Sequence, residues 1–314
     1  MQSFKPLAAL TVLYHPTDPQ LHRVVSLAQR CACVLVVDNT PDADLQRATL
    51  LQGAGVQYLH HGNLGGIAGA LNRGLSHLFA QSFDAVVLLD QDSELPDDYF
   101  SVMQAECDGR QGDAFMLGPV IYEPAVGACL PVLRVRRLLF QVLALNKDSP
   151  TEPCSFLITS GSVVSRQAYL RLGRFDEALL IDHVDTEYCL RARQLNVPVF
   201  VVPRLVMRHQ IGVKARHQVG PVALTAMNHS PSRRYYFVRN AVHLVLRRAW
   251  HYPIVSMLLM FVVFTQLLAV CLFEADKRKK LNCMRLGLLD GLAGRLGTLD
   301  HNRPDLAIRL QGRA

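Results

Sequence analysis

The chain has 314 residues, of which half are hydrophobic and 19% are charged. These values exclude a globally disordered protein and allow one large domain with an appendage, or two modest domains. The net charge of +7 is unevenly distributed, because residues 1–200 hold 15 basic and 21 acidic side chains, whereas residues 201–314 hold 18 and 5. A basic second part could meet nucleic acid, anionic lipid or a phosphorylated ligand. It lacks the aromatic interleaving of nucleic-acid-binding surfaces, so we expect no nucleic-acid partner.

The first 107 residues alternate between short apolar runs and segments with helical spacing. The apolar runs predict strands at 7–13, 34–37, 56–59 and 85–89, and the spacing predicts helices at 18–30, 44–52, 66–80 and 96–107. Four such repeats predict an α/β fold with a doubly wound, mainly parallel sheet. Ligands of such sheets bind at the carboxyl ends of the strands.

The middle of the chain is less regular. Patterns there predict strands at 115–122, 155–164, 199–202 and 205–207, and helices at 165–172 and 184–195. The eight cysteines contain no C-x-x-C pair, which predicts reduced thiols of a cytosolic protein and no zinc site.

A long apolar stretch at 254–273 contains no charged residue and has basic residues on both sides. About 20 apolar residues can span a bilayer, but flanking charges fit a helix that lies on an anionic leaflet equally well. A buried core helix is the alternative to either form of membrane contact.

Asp90 and Asp92 follow the fourth predicted strand in the sequence LLDQD. Carboxylates at that edge could bind a hard divalent cation, which in turn could neutralise a leaving diphosphate. The alternative is a polar strand end without a ligand. Asp38 ends the second predicted strand in the same way and is expected on the same edge.

The segment GNLGGIAGALNRG, residues 62–74, joins the third strand to a helix. Its glycines, Gly65 among them, allow the backbone to approach a ligand closely, and the helix N-terminus attracts negative charge. A dinucleotide fingerprint would follow the first strand with a different glycine spacing, which argues against a dehydrogenase.

An acidic segment, 175–191, contains five carboxylates within 13 residues. Asp182 or Asp185 can begin a helix here, and a general base at the helix mouth is the functional interpretation. Further along, arginines at 208, 233, 234 and 239 could bind a diphosphate through paired hydrogen bonds, or could form a solvated or lipid-facing surface.

Taken in order, these motifs resemble family 2 glycosyltransferases, which have the GT-A fold. The phrases GNLGGIAGALNRGL, LLDQDS, CSFLITSG, IDHVDTEYCLRA and RRYYFVRN are similar to the bacterial rhamnosyltransferases of the family, above all those of rhamnolipid synthesis. The resemblance covers nearly the whole chain.

The resemblance implies a donor, dTDP-L-rhamnose, a mono-rhamnolipid acceptor and a divalent metal, Mg²⁺ or Mn²⁺. It places Asp185 as the catalytic base, although Val184 replaces the family's preceding glutamate, so Asp182 and Glu187 stay open as alternates. The metal ligands would be Asp92 and His209. The remaining implied positions are donor-binding Tyr14, Asp38, Asn63, Gly65, Asn72, Asp90 and Arg239, and acceptor-side Ser160 and Gly161.

The resemblance also implies a domain arrangement. We expect a catalytic domain at 1–240, with a nucleotide-sugar half at 1–110 and an acceptor half at 111–240, followed by a membrane-associating region at 241–314. The expected location is the cytoplasmic face of the inner membrane, in contact with its lipid. Two other functions stay open: a rhamnosyltransferase of O-antigen or polysaccharide assembly, and a membrane-anchored protein that binds a nucleotide sugar without turnover.

Overall fold

The computed structural model describes residues 5–136, 138–209, 215–219 and 222–311, so the predicted limits at residues 1 and 314 lie outside it. The strands are β1 (Ala8–Leu13), β2 (Cys33–Asp38), β3 (Gln57–His60), β4 (Ala85–Asp90), β5 (Met116–Glu123), β6 (Ala128–Cys129), β7 (Leu133–Val135), β8 (Phe140–Val142), β9 (Glu152–Pro153), β10 (Ser162–Ser165), β11 (Val199–Arg208), β12 (Ala215–Val219) and β13 (Val222–Ala226). The α-helices are α1 (Asp18–Leu27), α2 (Leu45–Gly53), α3 (Gly66–Ala80), α4 (Tyr99–Asp108), α5 (Arg166–Leu172), α6 (Val184–Gln194), α7 (Pro231–Arg247), α8 (Pro253–Leu272), α9 (Lys277–Leu292), α10 (Leu299–Asn302) and α11 (Pro304–Gln311).

The main sheet has the strand order β3-β2-β1-β4-β10-β5-β11-β9, with β6 added to β5. Strands β1 to β4 are parallel, β11 is parallel to β5, and β10 runs antiparallel between β4 and β5. The predicted doubly wound, mainly parallel sheet is therefore confirmed. From β1 the strand order runs to β2 and β3 on one side and to β4 on the other, so the chain changes its direction of winding between β1 and β4.

Helices cover both faces of this sheet because the strands are apolar on both sides. Alternate residues of β1 show the division: Leu10 packs with α3 and α6 in one buried cluster, whereas Ala9 and Leu13 pack with α1, α2 and α4 in another. The sheet is thus the middle layer of three.

The middle of the chain departs from the predicted strands at two places. The predicted strand at 155–164 is observed only as β10, Ser162–Ser165, because Gly161 has a positive φ of 75° that ends regular pairing. Conversely, the two predicted strands at 199–202 and 205–207 are one strand, β11, whose register shifts between Val202 and Val206. The eight cysteines are all free thiols, as predicted.

Helix α7 runs without interruption through residue 240, where the sequence predicts a domain boundary. Helices α8 and α9 both contact α7. Helix α8 covers the predicted apolar stretch. The most apolar 18-residue segment of this helix has a mean hydropathy of 2.5, and 28% of that segment is buried. It is long and apolar enough to cross a membrane by length and composition.

Candidate active site

A cleft of about 830 Å³ opens at the carboxyl edge of the sheet. The pairing of the strands shows where this edge lies. Asp38, the last residue of β2, is paired with Leu13 at the end of β1, and Asp90, the last residue of β4, is paired with Val12. The polar residues that line the cleft are Tyr14, Asn39, Asn63, Asp90, Gln91, Asp92, Thr159, Ser160, Asp182, His183, Asp185, His209, Ser230, Ser232, Arg233, Tyr236, Thr298 and Asp300. Asp90, Asp92 and Asp185 thus line the same cleft.

The turn after β4 is held by hydrogen bonds that the side chains of Ser93 and Gln91 make. The Ser93 hydroxyl accepts from the Asp90 amide at 3.0 Å and also bonds the hydroxyl of buried Ser160. Gln91 fastens the turn to the end of β1, because its side-chain oxygen accepts from the Tyr14 amide at 2.8 Å and its amide donates to the Tyr14 carbonyl. These bonds direct the carboxylates of Asp90 and Asp92 into the cleft and place Tyr14 at its rim.

His209 completes a cluster of three metal-binding side chains with Asp90 and Asp92. One potential ligand atom from each residue lies within 4.8 Å of the others. The His209 ring nitrogens are each 3.5 Å from a carboxylate oxygen, and buried Nδ1 has no hydrogen-bond partner. Because a buried polar atom without a partner is costly, this nitrogen fits a ligand position. Two carboxylates and one imidazole suit a divalent cation such as Mn²⁺ or Mg²⁺.

Asp185 lies in the first turn of α6 and faces the cleft from the opposite segment. Burial raises its pKa to about 6, although the Thr186 amide, which donates to its carboxylate at 2.7 Å, and the Thr186 hydroxyl oppose the shift. A carboxylate with such a pKa is ionised at neutral pH and basic enough to accept a proton from a hydroxyl as a bond forms.

Asp182 also lines the cleft, but its carboxylate is occupied by an ion pair. The Arg233 guanidinium donates to both oxygens, at 2.9 to 3.2 Å. The predicted alternative that Asp182 caps the helix is wrong, because the residue before α6 is His183, in a left-handed conformation with φ of 62°. The ion pair instead balances the Arg233 charge inside the cleft.

Arg239 and Asn240 hold the loop that leads to Asp185. The Asn240 amide donates to three carbonyls, those of Leu179, Ile181 and Asp182, at 2.8 to 3.0 Å. Arg239 is fully buried, donates to the Ala178 and Leu179 carbonyls and to the carbonyl of Gly297, and contacts two tyrosine rings. Arg239 therefore does not line the cleft, and in this structure it fixes the shape of the acidic loop.

The glycine-rich segment makes room for the same loop. A Cβ atom on Gly66 would lie 2.2 Å from the Leu180 carbonyl oxygen, and one on Gly65 would lie 3.0 Å from the Glu177 side chain. The Ile67 amide at the start of α3 donates to the Leu180 carbonyl at 2.8 Å. This N–H group at the helix N-terminus therefore bonds protein backbone and not a ligand. Close approach of protein backbone explains these glycines.

Several residues expected to bind ligand make structural contacts instead of lining the cleft. The Asn72 amide joins α3 to Phe175 and Glu177. Glu187 is buried and pairs with Arg191 and Arg248. The Gly161 amide donates to the Leu88 carbonyl, while its own carbonyl accepts from the Tyr99 hydroxyl.

Asp38 reaches the predicted edge, but its carboxylate is fully buried. Arg47 donates to it at 2.6 Å, Tyr58 at 2.8 Å and the Thr40 amide at 2.9 Å. Burial raises the pKa of Asp38, but these hydrogen bonds outweigh it and hold the pKa below its usual value. The next residue, Asn39, is the one that lines the cleft.

The sequence did not single out Arg233 from its neighbours, because helical geometry alone shows only that it lies on a different face from Arg239. Successive residues turn by about 100°, so Tyr236 and Asn240 share the Arg233 face of α7, while Arg239 lies about 120° around the helix from Arg233. Because Asn240 bonds the acidic loop, the face that carries Arg233 is the one toward the cleft.

The C-terminal part of the chain supplies an apolar wall of the same cleft. Leu299, Ala307 and Leu310 lie there, and Ile158 and Ile181 from earlier in the chain also line the cleft. Tyr236 supports this wall, since its hydroxyl accepts from the Leu299 amide at 2.7 Å. The cleft thus has apolar lining residues that can accept an apolar group beside its charged ones.

Comparison with known proteins agrees with this geometry. Residues 19–173 match the family described as Glycosyl transferase family 2. The dTDP-rhamnosyl transferase RfbF of Shigella flexneri is 30% identical over 300 residues, which cover 92% of this chain and 96% of that protein.

Solved structures share the fold. The crystal structure of S. aureus TarS 1-349 in complex with UDP-GlcNAc is 14% identical, with a TM-score of 0.53, over 98% of this chain and 92% of that one. GalNAc-T7, crystallised with UDP, GalNAc and Mn²⁺, is 15% identical with a TM-score of 0.53 over 76% of this chain. The match spans about half the length of GalNAc-T7, namely 47%. These solved structures share the fold, and the family match and the relative that aligns over 96% of its length identify the chain as a glycosyltransferase: it belongs to glycosyl transferase family 2.

Proposed function

We propose that this glycosyltransferase transfers L-rhamnose from dTDP-L-rhamnose to a mono-rhamnolipid, giving a di-rhamnolipid with inversion at the anomeric carbon. The observation that carries the proposal is the placement of Asp185 across one cleft from Asp90, Asp92 and His209. The name of the S. flexneri relative supports the donor. The resemblance of the sequence motifs to rhamnolipid enzymes supports the acceptor.

The cluster of Asp90, Asp92 and His209 would hold Mn²⁺ or Mg²⁺. When bound, the cation supplies positive charge to the diphosphate of the donor as that group leaves. Arg233 also lines the cleft, and its guanidinium, which is paired with Asp182, could donate hydrogen bonds to the same leaving group. Imidazole ligation by His209 favours Mn²⁺ over Mg²⁺, which prefers oxygen ligands.

Asp185 then acts as the general base. Its carboxylate takes the proton of the acceptor hydroxyl as that oxygen attacks the anomeric carbon on the face opposite the diphosphate. Because a pKa of about 6 still lies below neutral pH, most of the group is ionised at pH 7 and the base is ready before the acceptor arrives. A single displacement inverts the anomeric centre. Tyr14, Asn39 and Asn63 lie where the nucleoside and sugar of the donor would bind.

The acceptor is amphiphilic, and the two walls of the cleft match its two parts. Its sugar hydroxyl must reach Asp185, with Ser160 on the same side, whereas Leu299 and Leu310 form the apolar wall that fits the start of an acyl chain. The exposed apolar helix α8 would bring the enzyme to the cytoplasmic face of the inner membrane, where such acceptors partition.

Two alternatives make different predictions. A rhamnosyltransferase of O-antigen or polysaccharide assembly would use the same donor with a glycan acceptor, which the apolar wall does not favour. A binding protein without turnover would leave Asp185 without a role.

Product mass analysis tests the proposal. The purified enzyme is incubated with Mn²⁺, dTDP-L-rhamnose and mono-rhamnolipid, and parallel reactions contain another sugar nucleotide or a rhamnose-terminated glycan. We expect a product heavier than the acceptor by one deoxyhexose only with dTDP-L-rhamnose and the lipid. Transfer to the glycan alone would support the first alternative, and no transfer to either acceptor would contradict the proposed reaction.

A further inference from the structure

The outer face of α8 is a continuous apolar stripe on the surface of the protein. Met257, Phe261, Phe264 and Leu272 are 51 to 67% exposed and recur at helical spacing. The opposite face is packed: Val255, Leu259, Ala269 and Val270 are at most 9% exposed. Water-soluble surfaces rarely expose such a stripe, so it needs an apolar partner.

The inner face of α8 is also tied to the protein by polar contacts. The buried Gln266 amide donates to the Thr225 carbonyl at 3.0 Å, and its oxygen accepts from the Arg234 guanidinium at 3.0 Å. Arg234 in turn pairs with buried Glu274, which also accepts from Lys280 at 2.9 Å. If α8 crossed the bilayer, these contacts would have to break or enter the hydrocarbon region, and both outcomes are costly.

A second exposed apolar element lies beside α8. Strands β7 and β8 form a hairpin whose connecting turn exposes Leu138 and Leu139 by 67% and 69%, with Phe140 46% exposed. The hairpin packs next to the first turns of α8, because Val135, the last residue of β7 before the turn, belongs to the same buried cluster as Val255 and Leu259.

Basic residues accompany both apolar elements. Arg136 is exposed at the hairpin turn, and Lys277, Arg278 and Lys279 are exposed at the end of α8. Apolar side chains next to cationic side chains fit the surface of an anionic membrane leaflet. The apolar side chains enter the acyl region, and the cationic side chains meet the negatively charged headgroups.

We infer that α8 lies flat in the interface of an anionic membrane with its Met257–Phe261–Phe264–Leu272 stripe inserted, and that the β7–β8 turn inserts beside it as a second anchor. The enzyme is then monotopic, and no segment of the described chain needs to cross the bilayer. The inference rests on the membrane localisation proposed above and adds the orientation and the second element.

Depth measurements test the orientation. Trp250 is the one tryptophan of the chain, so a Trp250→Phe background allows single reporters as Met257→Trp, Phe264→Trp and Leu272→Trp. Residues 257 and 272 are about 22 Å apart along a helix. Quenching by lipids brominated at different depths in phosphatidylglycerol-containing vesicles is expected to give the same shallow depth for all three. A depth that changes steadily along the helix would overturn the flat orientation.

Vesicle binding tests the hairpin. Leu138→Ser/Leu139→Ser is expected to weaken binding of the full chain to phosphatidylglycerol-containing vesicles by roughly tenfold or more, since two leucines no longer enter the membrane. The matched control is Leu45→Ser/Leu50→Ser, because these leucines are 81% and 50% exposed on α2, which packs at β3 on the opposite edge of the sheet. Equal binding by the hairpin variant and wild type would overturn the hairpin's role.

A wild-type chain that fails to bind these vesicles would overturn the whole inference. Transfer to a detergent-dispersed acceptor separates this failure from failure of the proposed function, since the reaction depends on the cleft and not on the stripe. Intact transfer without vesicle binding contradicts only the membrane inference.

Discussion

At the scale of single residues, two neighbouring acids of the site have different hydrogen-bond partners. Asp182 and Asp185 are three positions apart and both line the cleft. The Arg233 guanidinium occupies the carboxylate of Asp182, whereas Asp185 has only the Thr186 amide and hydroxyl as hydrogen-bond donors and a raised pKa. The ion pair makes Asp182 a poor proton acceptor, which is why the proposed reaction uses Asp185 as the base.

Asp182→Asn therefore tests the division of roles. We expect its kcat to stay within about tenfold of wild type, equivalent to a barrier change of about 1.4 kcal/mol. The KM for the donor should change more, because Arg233 loses its anionic partner. Steady-state kinetics with both substrates provide the comparison, with circular dichroism to confirm folding. A loss of kcat by a factor of thousands would move the base assignment to Asp182.

The pH dependence of the reaction follows from the raised pKa of Asp185. Below a pKa of about 6 the carboxyl is protonated and cannot accept a proton, so activity is present above this pH and lost as the pH falls through it. We expect kcat/KM at saturating metal to decline about tenfold per pH unit below about pH 6. Constant kcat/KM down to pH 5 would show that no group of this pKa acts as the base.

At the scale of elements, the alternating strands and helices of the first 107 residues were predictable because their apolar periodicity is strong. The hairpin β7–β8 was not, since each strand has only three residues and too few positions for a period to show. The carboxyl-edge site was predictable because parallel strands end together. The different positions of Arg233 and Arg239 depend on helix rotation and tertiary packing, which the arginine-rich sequence itself does not display.

The glycine-rich segment was predicted to approach a ligand, and the structure shows that protein backbone approaches it at Gly66. We expect Gly66→Ala to lower the free energy of unfolding by roughly 2–4 kcal/mol, because Cβ would meet the Leu180 carbonyl at 2.2 Å and φ is 62°. Gly53→Ala is the control, as nothing lies within 4 Å of its added Cβ. Urea denaturation should find the control within about 1 kcal/mol of wild type. Equal stability of the two variants would contradict the steric account.

At the scale of the whole molecule, α7 joins the cleft to the C-terminal helices α8 and α9. Its residues Arg233 and Asn240 reach the cleft and the acidic loop, while Arg234 reaches Gln266 on α8 and Glu274 beyond it. Removal of residues 254–280 would therefore expose the buried partners of α8 and leave Arg234 without an anion. Substitutions on the outer face of α8 are the better way to separate membrane contact from folding.

The buried ion pairs around Glu274 give a prediction at this scale. Burial raises the pKa of Glu274, but Lys280 and Arg234 lower it overall, so the ionised group stabilises the fold at neutral pH and this contribution is lost on acidification. Glu274→Gln should lower the free energy of unfolding at pH 7 by roughly 3–5 kcal/mol, because Arg234 stays buried without its partner. Asp276→Asn, which removes an exposed pair with Lys279, should cost less than about 1 kcal/mol. Similar values for both variants would refute the proposed link between α7 and α8.

The central claim is that Asp185 serves as the base opposite the cluster formed by Asp90, Asp92 and His209. The most direct test is the turnover number of folded Asp185→Asn, measured beside wild type with Mn²⁺, dTDP-L-rhamnose and mono-rhamnolipid. Loss of the proton acceptor should reduce kcat by about a thousandfold while donor binding is retained. Turnover equal to wild type would contradict the assignment.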